Sequence, residues 1–234
     1  MKRSEINQAI RDAESFIAEH RFSLPPFAGW TPAQWKAKGR ECDEIRDNML
    51  GWDITDFGRG NFRECGLTLL TIRNGNQRKA DTYPKPYAEK LLIVEEGQSC
   101  PYHFHWKKME DLINRGGGVL LVQLYNSLPG SEEIDTKSDV HVHCDGEKKT
   151  FPAGHVLELK PGESITMTPG LYHELRAKTG TGRVLIGEVS QCNDDNSDNR
   201  FAAKVGRFPK IIEDVEPYRL LCNEYPPAAN VSKL

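Results

Sequence analysis

Apolar residues open the chain at helical spacing. Ile6, Ala9, Ile10, Ala13, Phe16 and Ile17 recur every three or four positions, which predicts an amphipathic helix over residues 4–20. Ser4 stands at the N-cap position with Glu5 placed well for the helix dipole, while Asn7 occupies the place where a capping box needs Glu or Gln. A break at Leu24-Pro25-Pro26 follows, then a short helix from Thr31 with Pro32 in its first turn and Trp35 facing inward. The first 55 residues therefore read as a helical extension. The pattern then switches to short apolar runs bounded by turn residues. Strands are expected at 66–72, before Asn74-Gly75, and at 90–94, before Glu96-Gly97. Others fall at 119–125, at 140–143 before an Asp145-Gly146 hairpin, at 155–159 and at 164–167. A hairpin at Gly180 to Gly182 leads into 184–189. No strand–helix alternation appears, so the fold class is mainly β, a sandwich or barrel.

Composition narrows the function classes. The chain has 234 residues, with 31 basic against 34 acidic side chains and a net charge of −3. That balance lacks the basic excess of a nucleic-acid binder. No apolar run approaches the ~20 residues of a membrane span, and the N-terminus shows no signal-peptide core. Six cysteines are scattered without a Cys-x-x-Cys pair, which fits free thiols in a reducing cytoplasm. The tail from Pro226 to residue 234 is expected to be loose.

Chemistry concentrates at His103-Phe104-His105, with Glu110 five residues on. Strand residues i and i+2 share a face, so both imidazoles can converge on one point while Glu110 returns from the next turn with an oxygen. Such a mixed N/O set suits a divalent Mn, Fe, Co, Ni or Zn ion. The second pair, His141-Val142-His143, lacks a carboxylate at ligand spacing. If Val140 and Val142 face the core, these histidines face solvent, and His155 and His20 are read as surface residues too.

The surrounding spacing resembles the two motifs of the cupin family. Gly97, five residues, His103-x-His105, four residues, Glu110, six residues and Gly117 match the first. Gly162, five residues, Thr168-Pro169-Gly170, two residues and His173 match the second. Thr168 and Ala177 depart from the proline and asparagine common there, but neither is a ligand position. The resemblance implies a double-stranded β-helix (jelly-roll) barrel over residues 56–225, carrying a metal on His103, His105, Glu110 and His173. Lys108, two residues before Glu110, is either a solvated residue or a cation aimed at substrate oxygens. Glu188 follows His173 by fifteen residues across a short hairpin, so its strand can neighbour that of His173 and turn the carboxylate into the same cavity. The polar run Asn193-Asp194-Asp195-Asn196-Ser197-Asp198-Asn199-Arg200 is either a solvated loop or a lip of hydrogen-bonding groups over a polyol, and the acidic cluster Glu213-Asp214-Val215-Glu216 is either solvated or folds over the barrel mouth to offer Glu213 as a second candidate base.

Taken whole, from the helical extension to Pro217-Tyr218-Arg219-Leu220-Leu221-Cys222-Asn223-Glu224-Tyr225, the chain resembles the bacterial D-lyxose isomerase family. That resemblance implies a metal-dependent aldose–ketose isomerase, usually with manganese, acting on D-lyxose and D-mannose as a homodimer in the cytoplasm, with a monosaccharide as its only partner. It also implies substrate contact by Lys108 and proton transfer by Glu188 or Glu213; Asp198 and Arg200 of the polar run are further substrate candidates from their chemistry alone, and Glu110, a carboxylate with one free oxygen, can share the proton transfer. The rival readings are an Fe(II) cupin dioxygenase, in which Lys108 and Glu188 have no required place, and a non-enzymatic sugar-binding cupin.

Overall fold

The structure, a computed structural model, describes residues 1–194, 197–206 and 208–229. Three α-helices come first: α1 (Arg3–Glu19), α2 (Pro32–Lys36) and α3 (Asp43–Asp47). Helix α2 starts as expected, with the Gln34 amide N–H donating to Thr31 Oγ1 at 3.2 Å and Trp35 buried. Helix α1 starts two residues earlier than its sequence signals. Lys2 is its N-cap residue, and the Lys2 N–H donates to Glu5 Oε2 at 2.7 Å. Ser4 is drawn elsewhere: its N–H and hydroxyl donate to Asp214 at 2.9 and 2.7 Å, a long-range partner invisible to local capping rules.

Among the described residues fourteen strands follow: β1 (Gly51–Thr55), β2 (Leu67–Arg73), β3 (Tyr87–Val94), β4 (Ser99–His105), β5 (Glu110–Gly117), β6 (Leu120–Ser127) and β7 (Ile134–Asp135). After these come β8 (Val140–Cys144), β9 (Glu147–Phe151), β10 (Val156–Leu159), β11 (Ser164–Met167), β12 (Leu171–Ala177), β13 (Val184–Gln191) and β14 (Asn199–Phe201). They form two antiparallel sheets, ordered β1-β2-β3-β13-β5-β11-β8-β9 and β10-β6-β12-β4-β14, with β7 beside β6. Curled against each other, the sheets make the cupin barrel. Two expectations are corrected. Residues 51–55, read as part of the helical extension, form a strand on the edge of the large sheet. Strand β2 ends before Asn74-Gly75 as expected, and the connection that follows contains a 3₁₀ turn at Gln77–Lys79. The Gly180 to Gly182 turn joins β12 to β13, which lie in different sheets, so it crosses the barrel instead of closing a hairpin. The Asp145-Gly146 hairpin is present, with both residues at positive φ (50° and 84°), as a two-residue primed turn requires.

The large sheet is covered on both faces. Inside, Leu92, Leu112, Val122, Leu124, Ile165, Met167 and Ile186 fill the barrel. Outside, Ile6, Ile10, Ala13, Phe16 and Ile17 of α1 pack with Trp52, Ile54, Leu70, Leu91 and Ile93. Burial on both sides explains why Leu91-Leu92-Ile93-Val94 is apolar without alternation. Each such fully buried side chain contributes roughly 1.5–3 kcal/mol. The helical extension is therefore part of the packed core. Pro226 and Ala229 are held by hydrogen bonds to Arg46 and Lys38, whereas the rest of the expected loose tail, residues 230–234, lies outside the described residues.

Candidate active site and metal centre

Strand β4 places His103 and His105 on its cavity face and buries Phe104 on the other, against Trp106 and Tyr172 at ring distances of 4.6 and 4.7 Å. His173 on β12 is the cross-strand partner of His103. The Gly170 turn sets it there: the Gly170 N–H donates to the His105 carbonyl at 2.9 Å with φ 80°, a conformation that favours glycine. Glu110, the first residue of β5, comes from the facing sheet. One ring nitrogen from each histidine lies within 4.8 Å of the others. Glu110 Oε1 is 3.3 Å from both His105 Nε2 and His173 Nε2.

These residues fit a divalent metal. His103 Nδ1 and His173 Nδ1 sit 2.8 and 3.1 Å from the carbonyls of Pro101 and Leu171, which selects the Nδ1–H tautomer and leaves each Nε2 lone pair for the site. Both nitrogens of buried His105 lack a hydrogen bond among the described residues, a costly arrangement unless a metal or its water takes that lone pair. Ligands at bonds of about 2.0–2.2 Å stand on the order of 3–3.5 Å apart around one ion, a spacing that the 3.3 Å separations of Glu110 Oε1 from His105 and His173 match. Enclosure in the protein, then the charges of His173 and His105, hold His103 well below the ordinary imidazole value. Burial, then Lys108, lowers His105 as well. Neutral rings are the ligating form.

Beside the triad lies a charged row. Lys108 Nζ is 2.6 Å from Glu110 Oε2 and 2.9 Å from Glu188 Oε1, and Lys90 Nζ is 3.0 Å from Glu188 Oε1. All four side chains are buried. Burial would raise the Glu110 carboxyl, but the Lys108 charge and the histidines outweigh it and hold it well below the usual range. In Glu188 burial is likewise overcome by Lys108 and Lys90, so the carboxyl stays ionised. Burial disfavours the Lys108 ammonium, yet the two carboxylates keep it charged. Unpaired, any of these charges would be expensive to bury. Together they line a cavity of about 250 Å³ that is also lined by the apolar side chains of Phe57, Leu67, Leu69, Leu92, Leu112 and Phe201.

The structure brings His103, His105, Glu110, His173, Lys108 and Glu188 into one cavity. Glu188 arrives by a route other than the expected one: β13 pairs with β3 and β5, and the residue faces His173 from the opposite sheet. Three candidates are not brought to the cavity wall. Glu213 is mostly exposed and bonded to Arg3 of α1, at 2.7 and 2.8 Å, because its segment packs beside the helix and not over the barrel. Arg200 alternates outward on β14 to Glu132 at 2.8 Å, while its neighbours Asn199 and Phe201 line the cavity. Asp198 is buried, and its carboxylate accepts the N–H groups of Lys107 and Lys108 at 2.8 and 3.1 Å, so it holds the turn that carries Lys108. Asp195 and Asn196 of the expected lip lie outside the described residues. His141 and His143 face solvent between the buried Val140 and Val142, as alternation predicts. Sequence reasoning missed Lys90, Asp53 and Thr55, which also line the cavity. Their signal was a charged or polar residue inside an otherwise buried strand.

The two curled sheets and the histidine triad at their shared cavity define a cupin with a candidate divalent-metal site. The D-lyxose isomerase family model matches residues 1–225, and the chain belongs to that family of sugar isomerases. It is 48% identical over 226 residues to the D-lyxose/D-mannose isomerase of Escherichia coli O157:H7, covering 96% of this chain and 98% of that protein. Its identity to the D-lyxose/D-mannose isomerase of Serratia proteamaculans is 46%, over the same shares of each. The L-ribose isomerase structure from Cellulomonas parahominis matches with a TM-score of 0.57 and 18% identity, over 91% of this chain and 98% of that one, a likeness of fold. Among the described residues, no helix is long and apolar enough to cross a membrane.

Proposed function

We propose that the protein interconverts D-lyxose with D-xylulose, and D-mannose with D-fructose, by proton transfer through an enediol. The observation that carries this reading is the buried Glu188–Lys108–Glu110 row directly beside the histidine triad. His103, His105, His173 and Glu110 would hold the ion, with manganese the first choice and Co²⁺, Fe²⁺, Ni²⁺ or Zn²⁺ the alternatives. A bound divalent ion supplies Lewis acidity, polarising the sugar carbonyl and acidifying the neighbouring C–H. Glu188 removes the C2 proton as the C2–H electron pair forms the C1–C2 double bond, and it returns the proton to C1. Lys108 sets a fixed positive charge beside the oxygen that becomes negative. Glu110 Oε2, 2.6 Å from Lys108 Nζ, offers a relay for the proton that moves between the two sugar oxygens. A homodimer in the cytoplasm completes the reading, on family resemblance alone. The isomerase relatives favour it over the dioxygenase.

Removal of metal with a chelator, followed by return of Mn²⁺ under nitrogen, tests this. Stripped protein should form no D-xylulose from D-lyxose, and added Mn²⁺ should restore ketose formation at a rate independent of oxygen. Full activity in protein shown by metal analysis to be empty, or oxygen uptake coupled to sugar loss, would overturn it.

A further inference from the structure

The cavity contains a second buried lysine that the proposed chemistry leaves unused. Lys90 lies on β3, 5% exposed, in a strand whose following residues Leu91, Leu92, Ile93 and Val94 are all buried and apolar. It is the cross-strand partner of Glu188. Its Nζ sits 3.0 Å from Glu188 Oε1 and donates to Asn193 Oδ1 at 3.0 Å. Lys108 Nζ and Ser190 Oγ donate to the same Glu188 oxygen at 2.9 and 3.0 Å. All three contacts fall on Oε1, and no described residue hydrogen-bonds Oε2. A buried ammonium is tolerated only when paired, so this placement serves the carboxylate it meets.

Lys108 cannot fix Glu188 alone. It also bonds Glu110 Oε2 and sits on a turn, so its position follows the metal-site carboxylate. Lys90 stands on β3 instead of that turn, although its acceptor Asn193 Oδ1 also receives Lys108 Nζ at 3.4 Å. Asn193, which accepts from it, donates its N–H to Asn74 Oδ1 at 3.0 Å and accepts from Asn74 Nδ2 at its carbonyl, at 3.3 Å. We propose that Lys90 is a positioning residue for the general base: with Lys108 and Ser190 it anchors Glu188 Oε1, leaving Oε2 as the atom that takes the C2 proton. This rests on the reading of Glu188 as the base.

The test uses metal-loaded Lys90→Met, Glu188→Gln and the double variant, with D-lyxose and with D-lyxose deuterated at C2. Metal content should be unchanged in all three. In Lys90→Met, kcat should fall about 10- to 100-fold with KM moved less than about threefold, and C2 proton exchange should fall in parallel. The deuterium isotope effect on kcat should rise toward its full value, which loss of packing alone would not cause. Because Lys90 acts through Glu188, adding Lys90→Met to Glu188→Gln should cost less than about threefold more. Lys90→Gln, which keeps a donor for Oε1, should retain more activity than Lys90→Met, and it carries the same test should the Met variant fail to fold. Near-normal kcat in Lys90→Met, a loss confined to KM, an additive double variant, or equal loss in the Gln and Met variants would each overturn the proposal while Glu188→Gln remained impaired. Near-normal turnover in Glu188→Gln would instead remove Glu188 as the base, and the positioning role with it.

Discussion

Asp198 shows how a residue can matter to a site without lining it. Its carboxylate holds two backbone N–H groups of the turn between His105 and Glu110, and its own carbonyl accepts from Trp106 at 3.1 Å. Asp198→Ala leaves both donors without that acceptor in a buried place. The expected cost is about 1–3 kcal/mol in denaturant unfolding, with kcat reduced as Lys108 loses its fixed position. Asp198→Asn, which keeps an acceptor oxygen, should recover much of both, and unchanged stability in the Ala variant would contradict the assignment. At this scale the metal-ligand candidates were legible because His103 and His105 sit two apart and Glu110 and His173 fall at fixed motif spacing. Lys90 and Asp53 were not. A lone charge within an apolar run reveals its partner only when the sheet register sets it opposite, as β13 does for Lys90 and Glu188. Arg200 was misread because alternation within three residues decides inward from outward, and only the pairing of β14 with β4 fixes that phase.

Among the elements, α1 and the C-terminal segment form one unit. Arg3, 2% exposed, bonds both Glu213 and Glu224, and Asn7 and Ser4 reach Glu216 and Asp214. The bond to Arg3, only partly offset by desolvation, holds Glu213 below the ordinary glutamate value of 4.5. A depressed carboxyl contributes stability above its unfolded value, and that contribution disappears as pH falls through the folded value. Glu213→Gln should therefore lower Tm at pH 7 by about 1–3 °C, a small figure because Glu213 is largely exposed and screened. The difference should shrink as pH falls below the ordinary glutamate value and vanish once Glu213 is protonated in the folded protein, and a gap that persisted in the fully protonated protein would show that charge was not the cause. Helix α1 was legible from its apolar stripe. Strand β1 was not, since the alternation of Trp52 and Ile54 with Asp53 and Thr55 spans only five residues beside a helical segment. Pairing between elements was equally hidden: turn residues mark where a strand ends, not which sheet the next one joins.

For the molecule as a whole, two cores divide the labour. One seats α1 on the outside of the large sheet, and the other closes the barrel around a cavity lined by both charged and apolar side chains. Candidate ligands from opposite sheets, three histidines from one and Glu110 from the other, make the site a product of barrel closure. The class of fold could be read from strand-length apolar runs and the histidine spacing, because both are local. The cavity's shape could not, because it depends on how two curled sheets meet. Glu188 is proposed to move a proton between C2 and C1, and NMR of D-xylulose formed from D-lyxose by the Mn²⁺-loaded protein in D₂O tests that step. Solvent deuterium is expected at C1 of the ketose, because the proton held by a carboxylate exchanges with water that reaches the cavity. D-xylulose formed at full rate with no deuterium at C1 would point to direct hydride transfer between the carbons and contradict it.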